Sequence, residues 1–70
     1  MKFRDLIPIL EENGFTLHRQ GATSHRRYRK ELNGQVWYVD VAPHSMNDDI
    51  NKKTLASIIR QSGLSKKLFR

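Results

Sequence analysis

The sequence predicts an α+β domain in the order helix, three strands, helix, with one antiparallel sheet and both helices on the same face of it. Three observations lead there. Apolar residues at helical spacing stand near both ends of the chain, at Leu6, Ile9 and Leu10 and again at Leu55, Ile58 and Ile59. Segments of alternating character lie between them, the last one rich in Val, Trp and Tyr. Asn33-Gly34, inside that stretch, is the strongest short hairpin signal in the chain. Short turns favour antiparallel neighbours, and a three-stranded sheet can carry both helices on one face. The other face is then left to water or to a partner.

The first helix has Leu6, Ile9 and Leu10 on one side, with Glu11 and Glu12 pointing elsewhere. Pro8 suits a first turn better than an interior. Either Asp5 is the N-cap, or the helix starts earlier and bends at Pro8. Gly14 after Asn13 is a natural stop. The first strand spans Phe15 to Gln20, with Phe15 and Leu17 directed to the core and Thr16 and His18 away from it. Gly21-Ala22-Thr23 reads as a turn, and Ser24 to Glu31 as a cation-loaded second strand. Gln35 to Val41 forms the third, with Trp37 inward beside Val39 and Val41, and Tyr38 outward. Pro43 and the polar run Ser45 to Asp49 mark a loop. Asn51 caps a second helix that runs to Ser62 and stops at Gly63. Lys66 to Arg70 reads as a frayed tail rather than a phosphate-binding element.

The second strand fixes the most useful inference. Tyr28 must face inward to join Phe15, Leu17, Leu55 and Ile58. Ser24 and Arg26 then share the side of Tyr28, while His25, Arg27 and Arg29 lie on the open face.

Composition narrows the functional classes. Seventy residues make one domain, 1–70, whose single core supplies limited stability. There is no cysteine, which excludes disulfides and Cys-based metal sites and fits a reducing compartment. No apolar run approaches the roughly 20 residues of a membrane span, and Met1 to Asp5 has no signal-peptide character. The expectation is a soluble, cytoplasmic protein with no membrane partner. Thirteen Lys and Arg against seven Asp and Glu leave a net charge of +6. Two blocks carry cations and no acid: Arg19, Arg26, Arg27, Arg29 and Lys30 within His18–Lys30, and Lys52, Lys53, Arg60, Lys66, Lys67 and Arg70 after Asp49. Such blocks suit a polyanion, with nucleic acid first. An acidic protein partner or a solvated surface would account for the same charge.

Among three histidines, His18 lies mid-strand, His44 follows Pro43 in a loop, and His25 opens the cationic strand. RNA is cut when its 2′-hydroxyl attacks the adjacent phosphorus. That step needs a base for the hydroxyl proton, an acid for the leaving oxygen and positive charge on the phosphate. Histidine titrates near neutrality and can serve as base or acid. Guanidiniums offset charge developing on phosphate. His25 is therefore the catalytic candidate, with Ser24, Arg19, Arg26, Arg27, Arg29 and Lys30 as RNA contacts. Trp37 and Tyr38 are aromatic enough to stack on bases, although strand aromatics more often belong to a core or an interface. The sequence has no phosphate-binding Gly-rich loop, paired-carboxylate metal site or nucleophile triad. It calls for no metal and no cofactor.

These residues resemble a known family. Gly14-Phe15, Arg19-Gln20 and Ser24-His25-Arg26-Arg27-Tyr28 resemble the first strand and the Gly-Ser-His-x-x-aromatic pattern of HicA-type toxins. Val39 to His44 is similar to that family's third strand ending in Pro and His, and Thr54 to Leu64 to its second helix. The resemblance implies a double-stranded-RNA-binding-domain-like fold and ribosome-independent cleavage of mRNA with the motif histidine, His25, as key residue. It also implies a HicB-type antitoxin that covers the active surface, with the toxin monomeric by itself and hetero-oligomeric with its antitoxin. Two departures stand out. Thr23 precedes Ser24 where the family has Gly, in a turn one residue longer, and Lys53 replaces the Gly before Thr54-Leu55. That lysine adds positive charge at a helix start, where the dipole disfavours it. The second proton-transfer group stays open among water, an arginine-stabilised oxyanion and His18. A non-catalytic RNA-binding module and a basic protein-docking module are the competing functions.

Overall fold

The computed structural model describes residues 1–21 and 24–69. Its elements are α1 (Phe3–Glu12), β1 (Thr16–Gln20), β2 (Arg26–Leu32), β3 (Gln35–Val41) and α2 (Lys52–Ser62), followed by a short 3-10 helix, Lys66–Phe69. The three strands form one antiparallel sheet in the order β1-β2-β3. This is the order of elements and the α+β class that the sequence predicts.

Local chemistry explains the boundaries. Of the two starts open for α1, the earlier one holds. The Asp5 carboxylate accepts the Lys2 backbone N–H at 3.3 Å, so Asp5 sits in the first turn rather than at the cap, and Pro8 lies inside the helix. The 46–50 loop braces this start: Met46 and Asp48 carbonyls accept from Arg4 and Phe3, and Ile50 donates to Met1. Asn33 and Gly34 both have positive φ, 53° and 80°, as a tight two-residue hairpin between β2 and β3 requires. The Asn51 side chain accepts the Thr54 N–H at 2.8 Å and starts α2. Gly63 ends it at φ 67°, where a Cβ would stand 2.7 Å from the Trp37 indole nitrogen.

Cross-strand register assigns each side chain to a face. Tyr28 pairs with Leu17 and Val39, and Arg26 pairs with Val41. Tyr28, Val39 and Val41 are buried in one cluster with Phe3, Leu6, Ile7 and Leu10 of α1, Phe15, and Ile58 of α2. Both helices therefore cover the Tyr28 face. Trp37 is half-buried on that face and Tyr38 is exposed on the other, as alternation predicts.

Two expectations need correction. Leu17 shares the inward face with Tyr28 but is 50% exposed. It stands on the outer strand β1, whereas α2 packs over β3 at the opposite edge. The C-terminal segment is not a frayed tail through Phe69. Lys66–Phe69 forms the 3-10 helix, the Ser65 hydroxyl accepts the Lys67 N–H at 3.3 Å, and Phe69 is buried in the core next to α1. Of the predicted Gly21-Ala22-Thr23 turn, Ala22 and Thr23 lie outside the described residues, as does Arg70.

Candidate active site

The site grows out of the junction between the end of β1 and the start of β2. The Gly21 N–H donates to the His25 carbonyl at 3.0 Å, which ties the two strand ends together and sets the backbone at His25. His25 precedes the first paired residue of β2, and its side chain is exposed. An open groove of about 550 Å³ runs past it, lined by Arg19, Gly21, His25, Arg26, Arg27 and Asp40. Four of the residues expected at the site thus meet there: His25, Arg19, Arg26 and Arg27.

Their convergence has a structural cause. Leu17 pairs with Tyr28, but Arg19 pairs with Arg27, so His18 is an extra residue in β1. This bulge shifts the parity of the strand. Arg19 is thereby placed opposite Arg27 on the uncovered face, and Gln20 opposite Arg26 on the helix-covered one. Without the bulge, alternation would turn Arg19 inward.

The electrostatics are mixed. Arg27 holds the Asp40 carboxylate across the sheet through Nε at 2.8 Å and a second nitrogen at 3.4 Å. Arg29 holds Glu31 at 2.8 Å. Hydrogen bonding to Asp40, reinforced by its charge, raises Arg27 above the usual arginine range. Arg29 is raised likewise, first by its hydrogen bond to Glu31 and then by one to Tyr38. Both shifts are upward, so neither cation is lost as pH rises through any working range. Both pairs are solvent-exposed, with Arg27 and Asp40 side chains 47% and 55% accessible. Such pairs contribute little to stability and exchange partners readily. Arg26 differs: its Nε is buried and meets no hydrogen-bond acceptor among the described residues. A buried donor without an acceptor is costly.

Other expected contacts lie elsewhere. Ser24, half-buried just before His25, does not line the groove. Arg29 is on the open face but two cross-strand pairs further along, opposite Tyr38. Lys30 is on the other side of the sheet. It has the parity of Tyr28, pairs with Trp37, and places its ammonium over the rings of Phe15 (5.7 Å) and Trp37 (5.6 Å). The structure does not bring Lys30 to the groove: alternation along β2 sends it to the helix-covered face, and, unlike Arg26 of the same parity, it stands four residues away from the strand end that the groove borders. His18 packs its ring on Tyr38 outside the groove lining, and His44 borders a separate hollow with Asp48, Asp49 and Thr54. Among the described residues no three His, Cys, Asp or Glu side chains group as metal ligands. Asp40 is the residue that sequence reasoning missed. Its signal was present: it lies on the Tyr38 side of β3, which faces the arginines of β2.

Comparison with known proteins decides the family. The family model described as HicA toxin of bacterial toxin-antitoxin matches residues 3–64, from the start of α1 to just past α2. The chain belongs to the HicA toxin family. As a HicA toxin it is the toxin half of a toxin–antitoxin system and has an antitoxin as partner. The matched span contains all four groove residues expected from the sequence and ends before the 3-10 helix at Lys66–Phe69. No curated protein and no solved structure matches the chain significantly. No helix among the described residues is long and apolar enough to cross a membrane.

Proposed function

We propose that this HicA toxin is a ribosome-independent endoribonuclease that cleaves mRNA at the groove beside His25 and is neutralised by a HicB-type antitoxin. The observation that carries the reading is the meeting of His25 with Arg19, Arg26 and Arg27 in one open groove. A phosphodiester in the groove would find positive charge on several sides. Phosphate oxygens would meet the guanidiniums that line the groove, and they would compete with Asp40 for Arg27.

In the proposed reaction, neutral His25 removes the proton from a ribose 2′-hydroxyl. The oxygen attacks the neighbouring phosphorus, and the bond to the 5′ oxygen of the next nucleotide breaks. The products are a 2′,3′-cyclic phosphate and, once the leaving oxygen is protonated, a 5′-hydroxyl. The arginines stabilise the extra charge on the phosphorane. Protonated His25, having taken the first proton, can return one to the leaving oxygen, as can water. His18 does not line the groove, which favours these two over it as the second proton-transfer group.

The test is cleavage of a short single-stranded RNA by the purified toxin. His25→Ala should lower the rate by about 10²–10⁴-fold, the usual share of a positioned acid or base. RNA affinity should change little. Replacing the substrate 2′-hydroxyls by 2′-methoxy groups should stop cleavage by the unsubstituted toxin. Undiminished cleavage by His25→Ala would refute the assignment. Salt-sensitive binding with no cleavage by either chain would favour the non-catalytic module.

A further inference from the structure

We propose that Tyr38 and His18 form a nucleobase-stacking subsite of this toxin, joined to the His25 groove through Arg27. The inference rests on the RNA-cleaving reading and deepens it by naming where a base of the substrate is held.

The open face of a small sheet has no hydrophobic reason to carry a large aromatic ring. Tyr38 is nonetheless 41% exposed there. The extra residue of the β1 bulge, His18, brings its exposed ring to 5.6 Å from Tyr38, at an interplanar angle of 57°. Bulges are commonly found where a side chain must be re-aimed. The Arg27 guanidinium lies 5.3 Å from the centre of the Tyr38 ring and also lines the groove. Tyr38 pairs with Arg29, and Asp40 with Arg27. The platform is thus one same-face step, about 7 Å, along the strand from the Arg27–Asp40 pair.

The chemistry of the platform differs from that of the groove. Arg29 is engaged by Glu31, which leaves the surroundings of Tyr38 aromatic and cationic but partly neutralised. Phosphate prefers the groove, with its concentration of guanidiniums. A flat neutral base prefers the rings, where stacking and cation–π contact with Arg27 act together. A single-stranded RNA whose phosphates follow the groove can then lay a base beside Arg27 on Tyr38. Stacking tolerates any base, so the subsite sets position along the strand more than sequence.

The test measures binding to the His25→Ala toxin, so that no substrate is consumed. The probes are a mixed-sequence single-stranded RNA of twelve nucleotides (~12, one OB-fold-scale site) and a ribose-phosphate oligomer of equal length without bases. Tyr38→Leu should weaken RNA binding about tenfold, within the range for loss of one stacked base. The same substitution should leave affinity for the baseless oligomer unchanged, and Tyr38→Phe should retain RNA affinity. Trp37 fluorescence and thermal melting serve as folding checks. Equal loss on both probes would overturn the proposal, because Tyr38 would then act only by positioning arginines for phosphate. No loss on either would leave Tyr38 to the fold or to the antitoxin contact and overturn it too. Failure of the His25→Ala toxin and the unsubstituted toxin to bind either probe would instead bring down the RNA reading itself, and the subsite with it.

Discussion

The two faces of the sheet solve different problems with the same three strands. On the helix-covered face, Tyr28, Val39 and Val41 are at most 2% exposed and join the helices in one apolar cluster. On the other face, the same strands present Arg19, Arg27, Arg29, Tyr38 and Asp40, held by exposed ion pairs and ring contacts. Burial of apolar area supplies most of the stability of a small domain. Exposed pairs supply little. The covered face therefore holds the fold together, and the open face can carry charge for a partner at small energetic cost. Lys30 shows how sharp the division is: it follows Arg29 directly, yet packs on Phe15 and Trp37 on the far side.

The largest expected effect tests the covered face. Phe15 is 1% exposed. Phe15→Ala should cost about 3–5 kcal/mol in denaturant unfolding, enough to leave a domain of this size largely unfolded. Tyr38→Leu on the open face should stay within about 0.5 kcal/mol, as surface substitutions usually do. Comparable losses from the two would erase the distinction.

The next comparison sets one cation of each face against the other. Arg27→Gln should weaken RNA binding and lower the slope of log affinity against log salt by about 1, the signature of one lost phosphate contact. Lys30→Gln should leave that slope unchanged and instead reduce stability by up to about 1 kcal/mol, the scale of a cation–π contact. An equal fall in slope for both would return Lys30 to the RNA-binding set.

The smallest effect concerns Asp40. Asp40→Asn removes the carboxylate that holds Arg27, and with it the competitor that the proposed reading sets against phosphate. RNA affinity should rise about two- to fivefold, the scale of one exposed charge pair. Melting temperature should barely move. In an Arg27→Gln background the gain should vanish, and its persistence there would show that Asp40 acts through general charge instead.

Much of this division is legible in the sequence. Alternation about Tyr28 places Arg27 and Arg29 on the open face, and Trp37 and Tyr38 on opposite sides. Asn33-Gly34, Asn51 and Gly63 mark their turn, cap and stop because each meets a specific backbone need. Other features escape for physical reasons. Alternation tells which way Leu17 points, but not that α2 lies over the far edge of the sheet. A run of cations groups Lys30 with its neighbours, although the parity of Tyr28 assigns it to the opposite face. The bulge at His18 contains no Gly to announce it, yet it decides that Arg19 meets Arg27. Phe69 is a single aromatic with no periodicity around it, so its burial depends on a tertiary contact that no local pattern records. The start of α1 rests on Asp5 reaching back to Lys2, while Asp5 read in isolation equally suits a cap.

The most direct measurement of the central claim is controlled expression of the unsubstituted toxin and of His25→Ala in bacterial cells, with growth and mRNA integrity followed together and antitoxin withheld. Growth arrest with mRNA loss from the unsubstituted chain, and neither from a folded His25→Ala chain at equal abundance, is the predicted result. Arrest and mRNA loss from both chains would contradict it, because the activity would then lie away from the groove at His25.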